Sequence, residues 1–357
     1  MKKLALLLSL IFSFQIGKSQ SFSAPESVEF DSLNQRWIVG QNGSGKINIL
    51  QPSSNTLLAF ATGIPSGPHG IEILGNTVYA CDGTTIKGFD LSSGTQTFNL
   101  SITGSTFLNG LTTDGTNYLF ATDFSGKKIF RIHPASNQFN LMKTITKTPN
   151  GIYYDGPNNR CVFVTWGTNA EIQSMSLSDS SITSLKVTTL GSFDGITKDQ
   201  QGNWYFTAWS NNALNRIDPA FSTTPVAVKT GLSSPADIDI NSAGDSIGIP
   251  NSGNANNVVF YVIPNTSSIS NYDNSESAKI FPVPSTNQPV NILLEKAIVN
   301  GKLILWNSEG KSVIQQKANG YAFQFHPENL PEGNYIIQVI DDSGNLILNK
   351  TILIGNQ

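Results

Sequence analysis

PNGIYYD at residues 149–155 and FDGITKD at 193–199 are two copies of one phrase, and the architecture follows from how often that phrase recurs. It stands also as PESVEFD from Pro25, PHGIEIL from Pro68, LNGLTTD from Leu108 and PADIDIN from Pro235. Successive copies start 43, 40, 41, 44 and 42 residues apart. Each is followed by an apolar, β-rich run: RWIVG at 36–40, TVYACDG at 77–83, NYLFATD at 117–123, CVFVTWG at 161–167, NWYFTAWS at 203–210 and DSIGIP at 245–250. A third run follows, such as KKIFRIHP at 127–134 or ALNRIDP at 213–219, and a fourth, less regular one closes most units.

Four short strands every 40 to 45 residues or so, with turn residues between them, is the spacing of a β-propeller blade. No segment after the first 19 residues keeps a helical period. The expectation is an all-β chain whose residues 20–264 form a six-bladed β-propeller. A pair of β-sandwiches would not produce six near-equal intervals. The sixth unit runs out near Pro264 without an obvious fourth strand. Residues around Gln20 to Ser23 are therefore expected to pair into it and remove an exposed edge.

Composition agrees with strands and tight turns. Hydrophobic residues make up 39% and aromatic residues 10%, enough for a sizeable core, while charged residues are only 13%. The net charge is −3 and no run of Lys or Arg occurs, so the electrostatic footprint of nucleic-acid binding is missing. Residues 1–19 read as an export signal: Lys2 and Lys3, an apolar stretch from Leu4 to Phe14, then Gly17 and Ser19 as small residues before a cleavage at Gln20. The apolar stretch is shorter than the roughly 20 residues that span a bilayer, and no later segment approaches that length. Cys81 and Cys161 fall in the second strands of the second and fourth units, too far apart for a disulfide, and are expected as buried free thiols.

Past Pro264 the pattern changes. NTSSISNYDNSES, 265–277, reads as a linker. Strand candidates then follow at 290–294, 301–307, 321–325, 334–340 and 346–354, so residues 278–357 are expected to form a small antiparallel β-sandwich. KIFPVPSTNQPVNI, LILWNSEGKSV and NLPEGNYIIQV within it resemble the type A sorting domain of the bacterial type IX secretion system, with Pro282-Val283-Pro284 where that family usually has Pro-Asn-Pro. The resemblance implies that residues 278–357 address the chain, through the periplasm and the type IX machinery, to the cell surface or the medium.

Aligning the six phrases puts one position at the same point in every unit, just after its first residue: Glu26, His69, Asn109, Asn150, Asp194 and Ala236. Innermost strands surround a propeller's central channel, so these side chains should converge on one mouth of it. The plainer reading is turn chemistry, since Asn-Gly and Asp-Gly suit turns. Glu26, a poor turn residue with no Gly after it, breaks that reading. Oxygen donors without cysteine suit a hard cation, and loose geometry suits Ca²⁺ better than Mg²⁺.

FDGITKDQQGNWYFTAWSNNALNRIDP at 193–219, PNGIYYD at 149–155 and PESVEFD at 25–31 resemble three blades of the senescence-marker-protein/gluconolactonase family. The resemblance implies Glu26, Asn150 and Asp194 as ligands of Ca²⁺ or another divalent cation, and Asn109 as a residue facing substrate. Phe107 stands where that family commonly has Arg, and Asn109-Gly110 replaces Asn-Asp-Gly. FATDFSGKKIFRI at 120–132 is similar to NHL-type repeats, mostly binding scaffolds. Trp166 and Trp209 close the second runs of their units and read as core or rim packing, with sugar stacking as the alternative.

Two functions follow as expectations. The first is a secreted, Ca²⁺-dependent hydrolase of a lactone or related ester, with Asp194 or His69 taking a proton from the attacking water. The second is a non-catalytic propeller that binds a glycan or protein partner.

Overall fold

The computed structural model describes residues 21–52, 56–264, 278–285, 288–342 and 346–355, so the signal at 1–19 and the linker at 265–277 lie outside the described residues. The chain divides after Pro264 into two compact units.

In the first unit, among the described residues, six antiparallel sheets follow one another along the chain, five of four strands and one of three. The six inner strands are Pro25–Asp31, Ile71–Leu74, Leu108–Thr113, Thr148–Asp155, Phe193–Lys198 and Asp239–Ile240. Each comes from one copy of the phrase. Each lies against the next, and the last lies against the first, so the sheets close a ring. No α-helix occurs among the described residues, which carry only short 3-10 turns between strands.

Burial explains the composition of each run. The second strands, such as Arg160–Trp166 and Trp204–Ala208, are buried almost throughout because a neighbouring sheet covers each face. Outermost strands, such as Gln96–Ser101, alternate with solvent. Between the fourth and fifth sheets Val162, Val164, Phe193, Trp204 and Phe206 form one core. Each such side chain contributes about 1.5–3 kcal/mol by leaving water. Cys81 and Cys161 are buried and unpaired, as their strand positions led us to expect.

The glycine after the channel residue has a physical reason that turn chemistry does not supply. A Cβ on Gly70 would sit 2.3 Å from the Asn109 carbonyl oxygen, one on Gly110 2.5 Å from that of Asn150, and one on Gly151 2.3 Å from that of Asp194. Inner strands approach so closely there that only hydrogen fits. Gly70 N–H uses the approach to donate to the Asn109 oxygen at 2.7 Å. The turn reading of Asn-Gly and Asp-Gly is thereby corrected: both dipeptides lie within inner strands.

Closure of the ring also differs from expectation. Residues 21–23 form no strand, and the sixth sheet has three strands among the described residues. The seam is made instead by Asp237 N–H donating to the Glu26 oxygen at 3.0 Å and by a single parallel bridge between Ser27 and Asp237. The Asn256 side chain holds the chain start in place, accepting from Ala24 N–H at 2.8 Å and donating to the Phe22 oxygen at 2.9 Å. Val28, Trp37, Val39 and Val258, with Phe22 and Phe260 against them, fill the seam. Side-chain packing closes the seam, and among the described residues no fourth strand pairs with Asn257–Val262.

In the second unit, among the described residues, five strands make one hydrogen-bonded sheet rather than the two separate sheets of the expected sandwich. The candidates at 290–294 and 301–307 are a single strand, Val290–Trp306, and 321–325 extends back to Ser312. Register shifts between Leu293 and Gly301 bend that sheet. Its two halves enclose Val290, Leu303, Leu305, Phe325, Ile337 and Val339. Ser285 bridges Ile354 and brings the ends of the sheet together.

Candidate functional site

Inner strands carry bulges where the phrase begins: register slips between Pro25 and Ser27, Pro149 and Ile152, and Phe193 and Ile196. A bulge re-aims one side chain out of the strand's alternation. Here the re-aimed residues are Glu26, Asn150 and Asp194.

The structure draws Glu26 and His69 together, with His69 Nδ1 3.9 Å from Glu26 Oε1. The second Glu26 oxygen accepts from Ser252 Oγ at 2.7 Å. Asn150 is 1% exposed; its Nδ2 donates to the Phe193 oxygen at 3.0 Å, and its Oδ1 has no partner. His69 Nδ1 likewise has no hydrogen-bond partner. Asp194 is buried, and burial holds its carboxyl well above the usual range, with the charges of Glu26 and Asp237 adding to the shift. Ala236 completes the ring as a buried methyl from the sixth sheet, and Asn109 is buried in the third sheet's inner strand.

A belt of rings crosses four sheets on the same side. His69 meets Phe107 with centroids 4.6 Å apart, Phe107 meets Phe124 at 5.9 Å, Phe124 meets Trp166 at 5.8 Å, and Trp166 meets Trp209 at 5.0 Å, all edge to face. Phe107, Phe124, Trp166 and Trp209 are each partly exposed. The Trp209 indole N–H donates to the Pro235 oxygen at 3.1 Å, which fixes its ring.

Sequence reading took one column of the repeat and missed three things. Phe124 links Phe107 to Trp166, and its place just after the second run was the available signal. Ser252 comes from a loop with no motif. The third omission is the column three positions further along each phrase: Glu29, Glu72, Thr112, Tyr153, Thr197 and Asp239. It lines the channel beyond the glycines.

Comparison with known proteins now bears on this geometry. Residues 279–354 match the family model of the secretion system C-terminal sorting domain. That match marks the chain for type IX export, to the cell surface or the medium, and involves the type IX machinery. No helix among the described residues is long and apolar enough to cross a membrane. No curated protein matches the chain.

Among solved structures the chain is similar to a streptogramin B lyase, with TM-score 0.51 and 20% identity over 65% of this chain and 76% of that one. It is similar to virginiamycin B lyase from Staphylococcus aureus, with TM-score 0.52 and 16% identity over 78% and 95% of the two chains. A Bacteroides thetaiotaomicron protein of unknown function gives TM-score 0.58 and 14% identity over 68% and 70%. At these identities the likeness is one of fold. The chain is a secreted β-propeller protein with a sorting tail.

Proposed function

We propose that the propeller has six blades and is a hydrolase of the gluconolactonase-like type. In this reading it acts on a lactone or related ester, with Ca²⁺ or another divalent cation held at the channel mouth by Glu26, Asn150 and Asp194. The observation that carries the reading is Asn150 Oδ1, buried and unpartnered on the ring that also holds two carboxylates. An unsatisfied buried acceptor costs about 1–3 kcal/mol, which a hard cation would offset. No group of three or more His, Cys, Asp or Glu among the described residues forms a metal site. The proposed set has only two such ligands and draws its third donor from an amide.

A bound cation would polarise the ester carbonyl as a Lewis acid. His69 would then take a proton from water through its unpartnered Nδ1, which stands 3.9 Å from Glu26 Oε1. Asp194 is the second group able to take that proton, once ionised; in the metal-free protein burial favours its protonated form. Asn109 and the partly exposed faces of Phe107, Trp166 and Trp209 would border the substrate. Streptogramin B lyase and virginiamycin B lyase bear enzymatic names on this fold, which supports a catalytic reading without naming the substrate.

The test is calcium titration by calorimetry, with hydrolysis of a lactone panel measured with and without chelator. Wild-type protein that binds no Ca²⁺ and hydrolyses nothing would leave the second reading, a non-catalytic scaffold for a glycan or protein. The belt from His69 to Trp209 favours that alternative, since partly exposed rings are stacking surfaces.

A further inference from the structure

Beyond the glycine column the channel holds a cavity of about 210 Å³. Glu29, Glu72, Asp237 and Asp239 line it together with Thr112, Tyr153 and Thr197. No Lys, Arg or His lines it, and none of the four carboxylates takes part in an ion pair among the described residues. Glu29, Glu72, Asp237 and Asp239 are each half-buried and keep accessible surface toward the cavity.

Local bonds leave the acids far from satisfied. Asp239 accepts from Phe30 N–H at 2.8 Å and Glu72 from Ile73 N–H at 3.0 Å. The Thr112 hydroxyl also bonds Glu72, and Glu29 lies close enough to Glu72 for that charge to act on it. Burial raises all four, Glu72 to about 8 and Asp239 to about 6, and mutual repulsion adds to the shift in Glu29, Glu72 and Asp237. An observation independent of the acids also points to a ligand. Thr197 is 1% exposed, lines this cavity, and its Oγ1 has no partner.

We propose that this cavity binds a small organic cation, an alkylammonium ion, between the carboxylates of the first, second and sixth sheets and the hydroxyls of the third and fifth. A bare metal ion needs donors gathered at about 2.3–2.6 Å around one point. The four carboxylates here are not gathered into such a site. The space also exceeds a single ion, since one water takes about 30 Å³. An ammonium group carries three N–H donors, matching acceptors spread around a ring. Ile71, Leu111, Ile152, Ile196 and Ile238 border the cavity from the inner strands, but their side chains pack into the cores between sheets, so the lining is chiefly polar and leaves room for only a short alkyl part. The proposal is independent of the mouth site and stands if that site proves empty of metal.

The experiment is calorimetric titration of the full chain with butane-1,4-diamine, butylamine and CaCl₂. Saturable amine binding is expected. It should weaken by at least about tenfold in Glu72→Gln combined with Asp239→Asn, the size of losing one charge-assisted hydrogen bond. Thr197→Val, nearly isosteric, should weaken it several-fold at unchanged melting temperature. Glu26→Gln, at the mouth, should leave it intact. If the carboxylate variant does not fold, Thr197→Val and Glu26→Gln still decide. No amine binding by wild type would overturn the proposal, as would amine binding abolished by Glu26→Gln or untouched by Thr197→Val. Ca²⁺ binding in this cavity that the amines cannot displace would overturn the choice of an organic cation.

Discussion

Gly151 and Asp194 stand so close across two inner strands that a Cβ on Gly151 would lie 2.3 Å from the Asp194 carbonyl oxygen. The backbone that carries one proposed ligand is thus braced on the strand that carries the other. Gly151→Ala should cost about 1–3 kcal/mol through overpacking, since the atom in the way is backbone and cannot rotate aside. Urea unfolding of the variant checks this. An unchanged midpoint would mean that the strands can part without cost.

Glu26→Gln together with Asp194→Asn keeps side-chain size and hydrogen-bonding capacity while removing both negative charges from the mouth. Ca²⁺ affinity depends on the number of charged ligands, so the double variant should lose bound calcium and any ester hydrolysis. Its melting temperature without metal should stay close to that of wild type, because both changes keep side-chain size and hydrogen-bonding capacity. Calcium affinity equal to wild type would move the metal elsewhere.

Asp155 closes the phrase in the fourth sheet and binds three partners. Its carboxylate accepts from Arg160 and Asn158 at 2.8 Å each and from Lys198 of the fifth sheet at 3.0 Å. Burial alone would raise its pKa, but those bonds outweigh burial and hold it below the usual value. A carboxyl depressed on folding contributes its full stability above the unfolded value of about 3.9 and loses it as pH falls through the folded value. Asp155→Asn should therefore cost about 1–3 kcal/mol at neutral pH. The gap from wild type should narrow below pH of about 4. Unfolding midpoints at pH 7 and pH 3 measure it; a gap independent of pH would show that shape rather than charge matters there.

Removal of residues 278–357 deletes the strands matched by the sorting-domain model and leaves the ring of sheets whole. The truncated chain should fold with a cooperative melt and accumulate in the periplasm. Blots of culture fractions check the second point, and normal release into the medium would contradict the role of the tail.

The repeat phrase alone was enough to read the ring of strands, because each blade is one local unit with its own hydrophobic run and turns. The same column of the phrase exposed Glu26, His69, Asn109, Asn150 and Asp194, since equivalent positions in a ring face one axis. The tail was legible for a similar reason: KIFPVPSTNQPVNI and NLPEGNYIIQV are continuous segments whose residues act near one another in sequence.

What spans the ring was not legible. Phe107, Phe124, Trp166 and Trp209 come from three blades, and only folding shows that their rings touch. The seam is closed by the Asn256 side chain and a Ser27–Asp237 bridge, whereas counting strands suggested a fourth strand from residues 20–23. The acidic far end belongs to the same class, because Glu29 and Asp239 are more than 200 residues apart in the chain. Local periodicity determines the strands and which residues each presents to the axis. Which of those residues meet, what burial does to their charge and how large a space they leave depend on long-range packing, and only the closed ring settles these.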